Sequence, residues 1–150
     1  MPNIKKVELE SKTIVGLQIR TKNADEMKEE TQKIAPLWEK FYADIMPSLK
    51  EGTALYGVYH NYESDATGAF DVLAGSEEEG EGLESVTLEE GKYLMFPVKG
   101  EMPQAIIDAW GKVWAYFEDP SIDERRAYET DFELYKSADE AEIYIGVHYF

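Results

Sequence analysis

The stretch Tyr128-Glu-Thr-Asp-Phe-Glu-Leu-Tyr135 decides the fold. Tyr128, Thr130, Phe132 and Leu134 fall on one side of it, and Glu129, Asp131, Glu133 and Tyr135 on the other. A period of two is the mark of a half-buried strand. The run from Ala141 to Tyr149 repeats the pattern, with Ile143, Ile145 and Val147 on one face and Glu142, Tyr144 and His148 on the other. Paired as a hairpin, the two runs would set Phe132 and Leu134 beside Ile143 and Ile145 under a helix layer. Glu133 and Tyr135 would then share the opposite face with Tyr144 and His148. A carboxylate among ring faces offers an organic cation both a counter-charge and cation–π contact. The plainer alternative is a solvated glutamate on an exposed strand face, since glutamate is rarely buried without a partner.

Outward from this hairpin, composition bounds the answer. The chain has 150 residues, enough for one domain with a real core, and 43% of them are hydrophobic. A formal charge of −16 argues against a duplex-binding surface, which needs Lys and Arg to displace counterions. There is no cysteine, so disulfides and thiolate metal sites are excluded. The two histidines, His60 and His148, lack metal-ligand spacing, and no metal or cofactor is expected. No Walker, dinucleotide or Gly-x-Ser-x-Gly pattern is present. No segment resembles a signal peptide, and none approaches the roughly 18 apolar residues of a membrane span. A cytoplasmic protein is the expectation.

In chain order, Ile4–Glu10 and Thr13–Thr21 read as strands. Asn23 with Glu26 three residues on forms a capping-box pattern. The helix that follows carries Met27, Ile34, Leu37, Trp38, Phe41 and Ile45 on one side and breaks just before Pro36. Leu55–Tyr62 and Ala69–Ser76 are strands joined by a turn. The acidic, Gly-rich stretch from Glu77 to Glu84 reads as a solvated linker. Val86–Leu88 and Lys92–Lys99 are extended. Pro103 suits the first turn of a second helix, whose stripe of Ile106, Ile107, Trp110, Val113, Trp114 and Phe117 has helical period.

The chain repeats itself. Val7-Glu-Leu-Glu10 is echoed by Val86-Thr-Leu-Glu89, Trp38-Glu-Lys-Phe-Tyr-Ala43 by Trp110-Gly-Lys-Val-Trp-Ala115, and Phe70-Asp-Val72 by Ile143-Tyr-Ile145, always in the same order. Each half, about 4–77 and 85–150, reads strand, helix, strand, strand. The expected fold is α+β: duplicated β-α-β-β modules with pseudo-two-fold symmetry, one antiparallel sheet, two main helices on one face, and a ligand cleft where the halves meet.

At this point the residues resemble a known family, the gyrase-inhibitor-like (GyrI-like) domain, which is also the effector-binding domain of multidrug-responsive regulators of the AraC and MerR types. Six pieces carry the resemblance across nearly the whole chain: Pro36-Leu-Trp38 with Phe41, Leu55-Tyr-Gly-Val-Tyr59, Phe70-Asp-Val-Leu-Ala-Gly75, Gly91-Lys-Tyr93, Asp131-Phe-Glu-Leu-Tyr135 and Glu142-Ile-Tyr-Ile-Gly-Val147. Gly146, where the family often has proline, and Val72, where an aromatic is common, are departures. The resemblance implies an aromatic-lined pocket between the modules with a buried glutamate that pairs with lipophilic cations. By position in the motif that residue is Glu133.

The ligand-binding candidates are therefore Glu133, with Trp38 and Trp110 from equivalent helix positions, and Tyr56, Tyr59, Phe70, Tyr93, Tyr135, Tyr144 and His148. Each aromatic has a packing role as its alternative, and Trp114 reads as core. The leading function is capture of an amphipathic, cationic organic compound. Hydrolysis of a reactive small molecule, with the pocket glutamate as general base, is the enzymatic alternative. A gyrase-inhibitor-type acidic module that binds a basic protein is the third. The chain has no room for a helix-turn-helix domain, so direct DNA binding is not expected. An edge strand formed by Ile4–Leu9, or by Val86 and Leu88, would allow a homodimer.

Overall fold

The computed structural model describes residues 4–64, 67–78, 83–102, 104–122, 124–137 and 139–148. The expectation at Pro103 and the middle of the acidic stretch lie outside these residues. Eight strands form a single sheet: β1 (Lys5–Leu9), β2 (Lys12–Thr21), β3 (Leu55–His60), β4 (Phe70–Ser76), β5 (Glu84–Leu88), β6 (Gly91–Lys99), β7 (Arg126–Tyr135) and β8 (Glu140–Val147). Three helices join them: α1 (Asn23–Glu26), α2 (Ile34–Asp44) and α3 (Gln104–Glu118). The strand order is β1-β6-β8-β7-β3-β4-β2-β5, and every neighbouring pair is antiparallel. Exchanging β1 with β5, β2 with β6, β3 with β7 and β4 with β8 reads the same order backwards. The sheet thus has two-fold topology about an axis between β3 and β7, and the three sequence echoes fall on equivalent elements.

The sheet is strongly curled. β1 lies at one edge, yet only Glu10 and Ser11 separate it from β2, which is next to the other edge. In a flat sheet those strands would stand six spacings apart, about 29 Å. Three Cα steps reach at most about 11 Å. The link from β5 across Glu89 and Glu90 to β6 imposes the same closure from the other side. Gly16 and Gly75 face each other where β2 bends, and a Cβ on Gly16 would lie 2.0 Å from the Ala74 carbonyl oxygen. Only glycine permits that approach.

Inside the curl, Val7, Leu9, Val86 and Leu88 from the edge strands close over Ile14, Tyr56, Val58, Leu73, Tyr93 and Phe132. On the outer face, α2 covers Phe70, Val72 and Ala74 with Leu37 and Phe41. On that same face, α3 covers Leu94, Phe96, Ile143 and Ile145 with Ile106 and Val113.

The hairpin β7–β8 forms, but its faces are reversed relative to the sequence expectation. Glu133 pairs with Ile143 and Tyr135 with Ala141, whereas Phe132 pairs with Tyr144. Cross-strand partners share a face, so Asp131, Glu133 and Tyr135 lie under the helices. The turn decides this: the amides of Lys136 and Ser137 both donate to the Glu140 carbonyl, an odd-length closure that sets odd residues opposite odd residues. The alternation also fails at Tyr128, where a bulge between Arg126 and Asp131 and a positive φ of 53° interrupt β7.

Two further expectations are corrected. The helix from Asn23 ends at Glu26, and Met27 is 81% exposed instead of joining the α2 stripe. Glu26 does not box Asn23; its carboxylate accepts Thr21 Oγ1 and the amides of Lys33 and Ile34, capping α2. The start of the acidic stretch is not merely solvated: Glu77 accepts from the Tyr56 hydroxyl, and Glu78 from Thr53 Oγ1 and the Lys50 amide.

Candidate functional site

Two carboxylates lie two residues apart on the outer face of β7, both buried, and their surroundings differ. Asp131 is neutralised. It pairs with Arg126 Nη2 at 2.6 Å and accepts the Tyr62 hydroxyl and the Gly146 amide. The β7 bulge turns Arg126 back onto it, with the guanidinium 4.4 Å from the Tyr128 ring. Glu133 has no such partner. Its carboxylate accepts Trp110 Nε1 at 2.6 Å, the Tyr135 hydroxyl at 2.8 Å and the Tyr59 hydroxyl at 3.1 Å. All three donors are neutral, and none of the ion pairs among the described residues includes Glu133. Burial pushes its pKa above the ordinary carboxylate value, while the three hydrogen bonds oppose that shift. Burial raises the hydroxyls of Tyr59 and Tyr135 well above the usual tyrosine value, with the neighbouring Glu133 charge adding to it.

The elements around Glu133 explain how it fits. Gly57 on β3 is its cross-strand partner. A Cβ at Gly57 would lie 2.6 Å from Glu133 Oε1 and 3.2 Å from the Trp38 ring, so the missing side chain provides the space. Trp38 from α2 packs edge-on against Tyr135, and Trp110 from α3 packs against Tyr59 at 5.3 Å. The two equivalent tryptophans therefore stand on either side of the carboxylate, as the two-fold topology requires.

In front of this cluster a cavity of about 270 Å³ opens between α3 and the start of α2. Tyr59, Tyr62, Phe70, Trp110 and Trp114 form its walls, and Glu26 and Arg126 also line it. Trp110 and Tyr59 thus belong both to the cavity wall and to the Glu133 cluster. Trp114, read from sequence as core, is 42% exposed at this cavity. Its signal was the spacing of four from Trp110, which puts both on one helix face. Tyr62 and Arg126 carried no sequence signal, because a bulge and a loop bring them in.

The structure divides the sequence candidates. Glu133, Trp38, Trp110, Tyr59, Tyr135 and Phe70 gather on the helix side of the sheet. Tyr56, Tyr93 and Tyr144 lie on the inner side, packed around Phe132. His148 is exposed just beyond the end of β8, five residues past Ile143, the cross-strand partner of Glu133. Among the described residues no group of three or more His, Asp or Glu could hold a metal ion, and no helix is long and apolar enough to cross a membrane.

Residues 6–147 match the Cass2 family, described as integron-associated effector binding proteins. The chain belongs to that family. The gyrase-inhibitor-like resemblance read from the sequence agrees with the match. Among solved structures, this Cass2 chain is similar to the integron cassette protein VCH_CASS2 from the mobile metagenome of Vibrio cholerae. That similarity has a TM-score of 0.91 and 46% identity over 97% of this chain and 95% of the other. It shares its fold with SAV2435, solved bound to tetraphenylphosphonium, at a TM-score of 0.73 and 20% identity over 97% and 93%. Among curated proteins it is 27% identical to YobU of Bacillus subtilis (strain 168), named for a candidate role as a transcriptional regulator. That match covers 85% of this chain and 82% of YobU.

Proposed function

We propose that this protein captures amphipathic organic cations in the helix-side cavity, with Glu133 as the counter-charge. The observation that carries this reading is the contrast on β7: Asp131 has its arginine, and Glu133 is buried among neutral donors only. Burying an unpaired carboxylate is costly, and a cation brought beside it offsets that cost. A neutral compound of the same shape gains apolar burial alone. Charge selectivity follows from the buried acid, and tolerance of shape from flat aromatic walls.

The cavity volume of about 270 Å³ is small for a drug-sized ligand, and Trp110 and Tyr59 stand between it and Glu133. In this reading Trp110 is the gate. Swinging its indole away removes one of the two hydrogen bonds on Glu133 Oε2, the Tyr59 hydroxyl keeping the other, and opens the carboxylate toward the cavity. Binding of tetraphenylphosphonium by SAV2435, which has the same fold, is consistent with such a pocket.

The test is titration of tryptophan fluorescence with lipophilic cations and their neutral isosteres. Saturable quenching by the cations is expected. Glu133→Gln should weaken cation binding by about 2–3 kcal/mol and leave neutral-isostere binding and the circular-dichroism spectrum unchanged. Equal affinity of wild type and variant for the cations would remove Glu133 from the site.

A further inference from the structure

The inner face of the curled sheet holds a second cavity of about 330 Å³. It lies on the opposite side of the sheet from Glu133, and its floor is aromatic. Phe132 and Tyr144 stack at 4.6 Å with planes 10° apart, and Tyr56 and Tyr93 pack against Phe132. The polar tips of these tyrosines are already engaged. Tyr144 donates to Glu142, Tyr93 to the Glu89 carbonyl, and Tyr56 to Glu77. Tyr56, Tyr93 and Phe132 are only 3–4% exposed, so the ring surface open to a visitor is chiefly that of half-buried Tyr144.

The mouth is built from a sequence repeat that the helix-side site leaves unused. Leu9-Glu10 at the end of β1 and Leu88-Glu89 at the end of β5 are equivalent in the two halves, and all four residues line this cavity. The two leucines form walls and the two glutamates, both exposed, form the rim. Glu8 adds a third carboxylate, against one cation, Lys12. Lys12 already holds an ammonium at this mouth, 3.4 Å from the Tyr56 hydroxyl and 5.9 Å from the centre of its ring.

We infer that the inner cavity is a second ligand site, for an aromatic cation. The Phe132–Tyr144 stack is closed on itself, and its outer aromatic surface at the cavity floor suits an aromatic cation through ring contact and cation–π attraction. The acidic rim repels anions and raises the local concentration of cations. The site is independent of the helix-side cavity, although adjacent residues of β7, Phe132 and Glu133, serve the two.

The experiment is equilibrium dialysis of the whole protein against ethidium at about 0.15 M salt, where diffuse surface attraction is largely screened. Two classes of site are expected in the wild type. Glu10→Gln combined with Glu89→Gln should weaken one class by about three- to tenfold, the effect of removing two partly solvated charges. Glu133→Gln should weaken the other class only. Glu39→Gln with Glu118→Gln, both exposed and lining neither cavity, should change nothing. A single class insensitive to Glu10 and Glu89 overturns the inner site and leaves the helix-side reading standing. A single class sensitive only to Glu10 and Glu89 does the reverse. Equal weakening by the Glu39 and Glu118 pair means diffuse attraction to an acidic surface and overturns the inner site, as does the absence of any binding.

Discussion

Glu133 and Asp131 show how one face of one strand can hold two buried acids, one paired with an arginine and one among neutral donors. Because burial raises the Glu133 pKa, the folded chain holds that proton more tightly than the unfolded chain does. This contribution to stability is complete below the ordinary glutamate value of about 4.3. It is lost as the pH rises through the higher folded value. A bound cation reverses the preference. Affinity for a permanent cation should therefore fall on acidification, with a midpoint above the ordinary carboxylate range, and the profile of Glu133→Gln should be flat. Calorimetric titrations at a series of pH values would check this. Asp131 predicts a different loss. Asp131→Ala strands the buried Arg126 charge and should destabilise the fold by about 3–5 kcal/mol, read from denaturant midpoints. The identity of Glu133 was legible in Asp131-Phe-Glu-Leu-Tyr135, but the face it occupies was not. Alternation fixes which residues share a side of a strand, whereas the hairpin turn fixes which side meets the partner's apolar residues, and that parity is invisible in the pattern. Arg126 was illegible for a related reason, since a bulge broke the period just where it was needed.

The elements were read more surely than their ends. The apolar stripes gave both main helices, because helical period acts locally, but α2 starts at Ile34 and runs through Pro36, so the interruption falls earlier than the expected break before that proline. What joins α1 to α2 depends on a tertiary detail, the Glu26 carboxylate reaching over the intervening turn to the Lys33 and Ile34 amides. Sequence spacing suggested a cap for the wrong helix. Glu26→Ala should cost about 1 kcal/mol. It should also speed hydrogen exchange at Lys33 and Ile34 ahead of the rest of α2, since those two amides lose their acceptor. Because Glu26 and Ile34 both line the helix-side cavity, the same change should loosen one of its walls. The three echoes between halves were legible as repeats. Only the curl, which brings the two edges of the sheet together, showed that the Leu9-Glu10 and Leu88-Glu89 copies meet at one mouth.

For the whole molecule, curvature is the property on which both cavities depend. The helices cover the outer side, and the edge strands close the inner one. Curvature in turn depends on the Gly16–Gly75 contact. Gly75→Ala would place a Cβ 2.1 Å from the Val15 carbonyl oxygen, a backbone atom that cannot yield without moving β2. A loss of about 1–3 kcal/mol is expected, seen as a lower thermal midpoint together with weaker binding at both cavities. The strand order carries one more consequence. The hairpin β7–β8, the last part of the chain, is not an edge but the middle of the sheet, between β6 and β3. Without that hairpin the sheet falls into two open pieces, β1–β6 and β3–β4–β2–β5, each with a bare edge of unpaired backbone groups. Damage to β7 or β8 would therefore take out the keystone and not the trim.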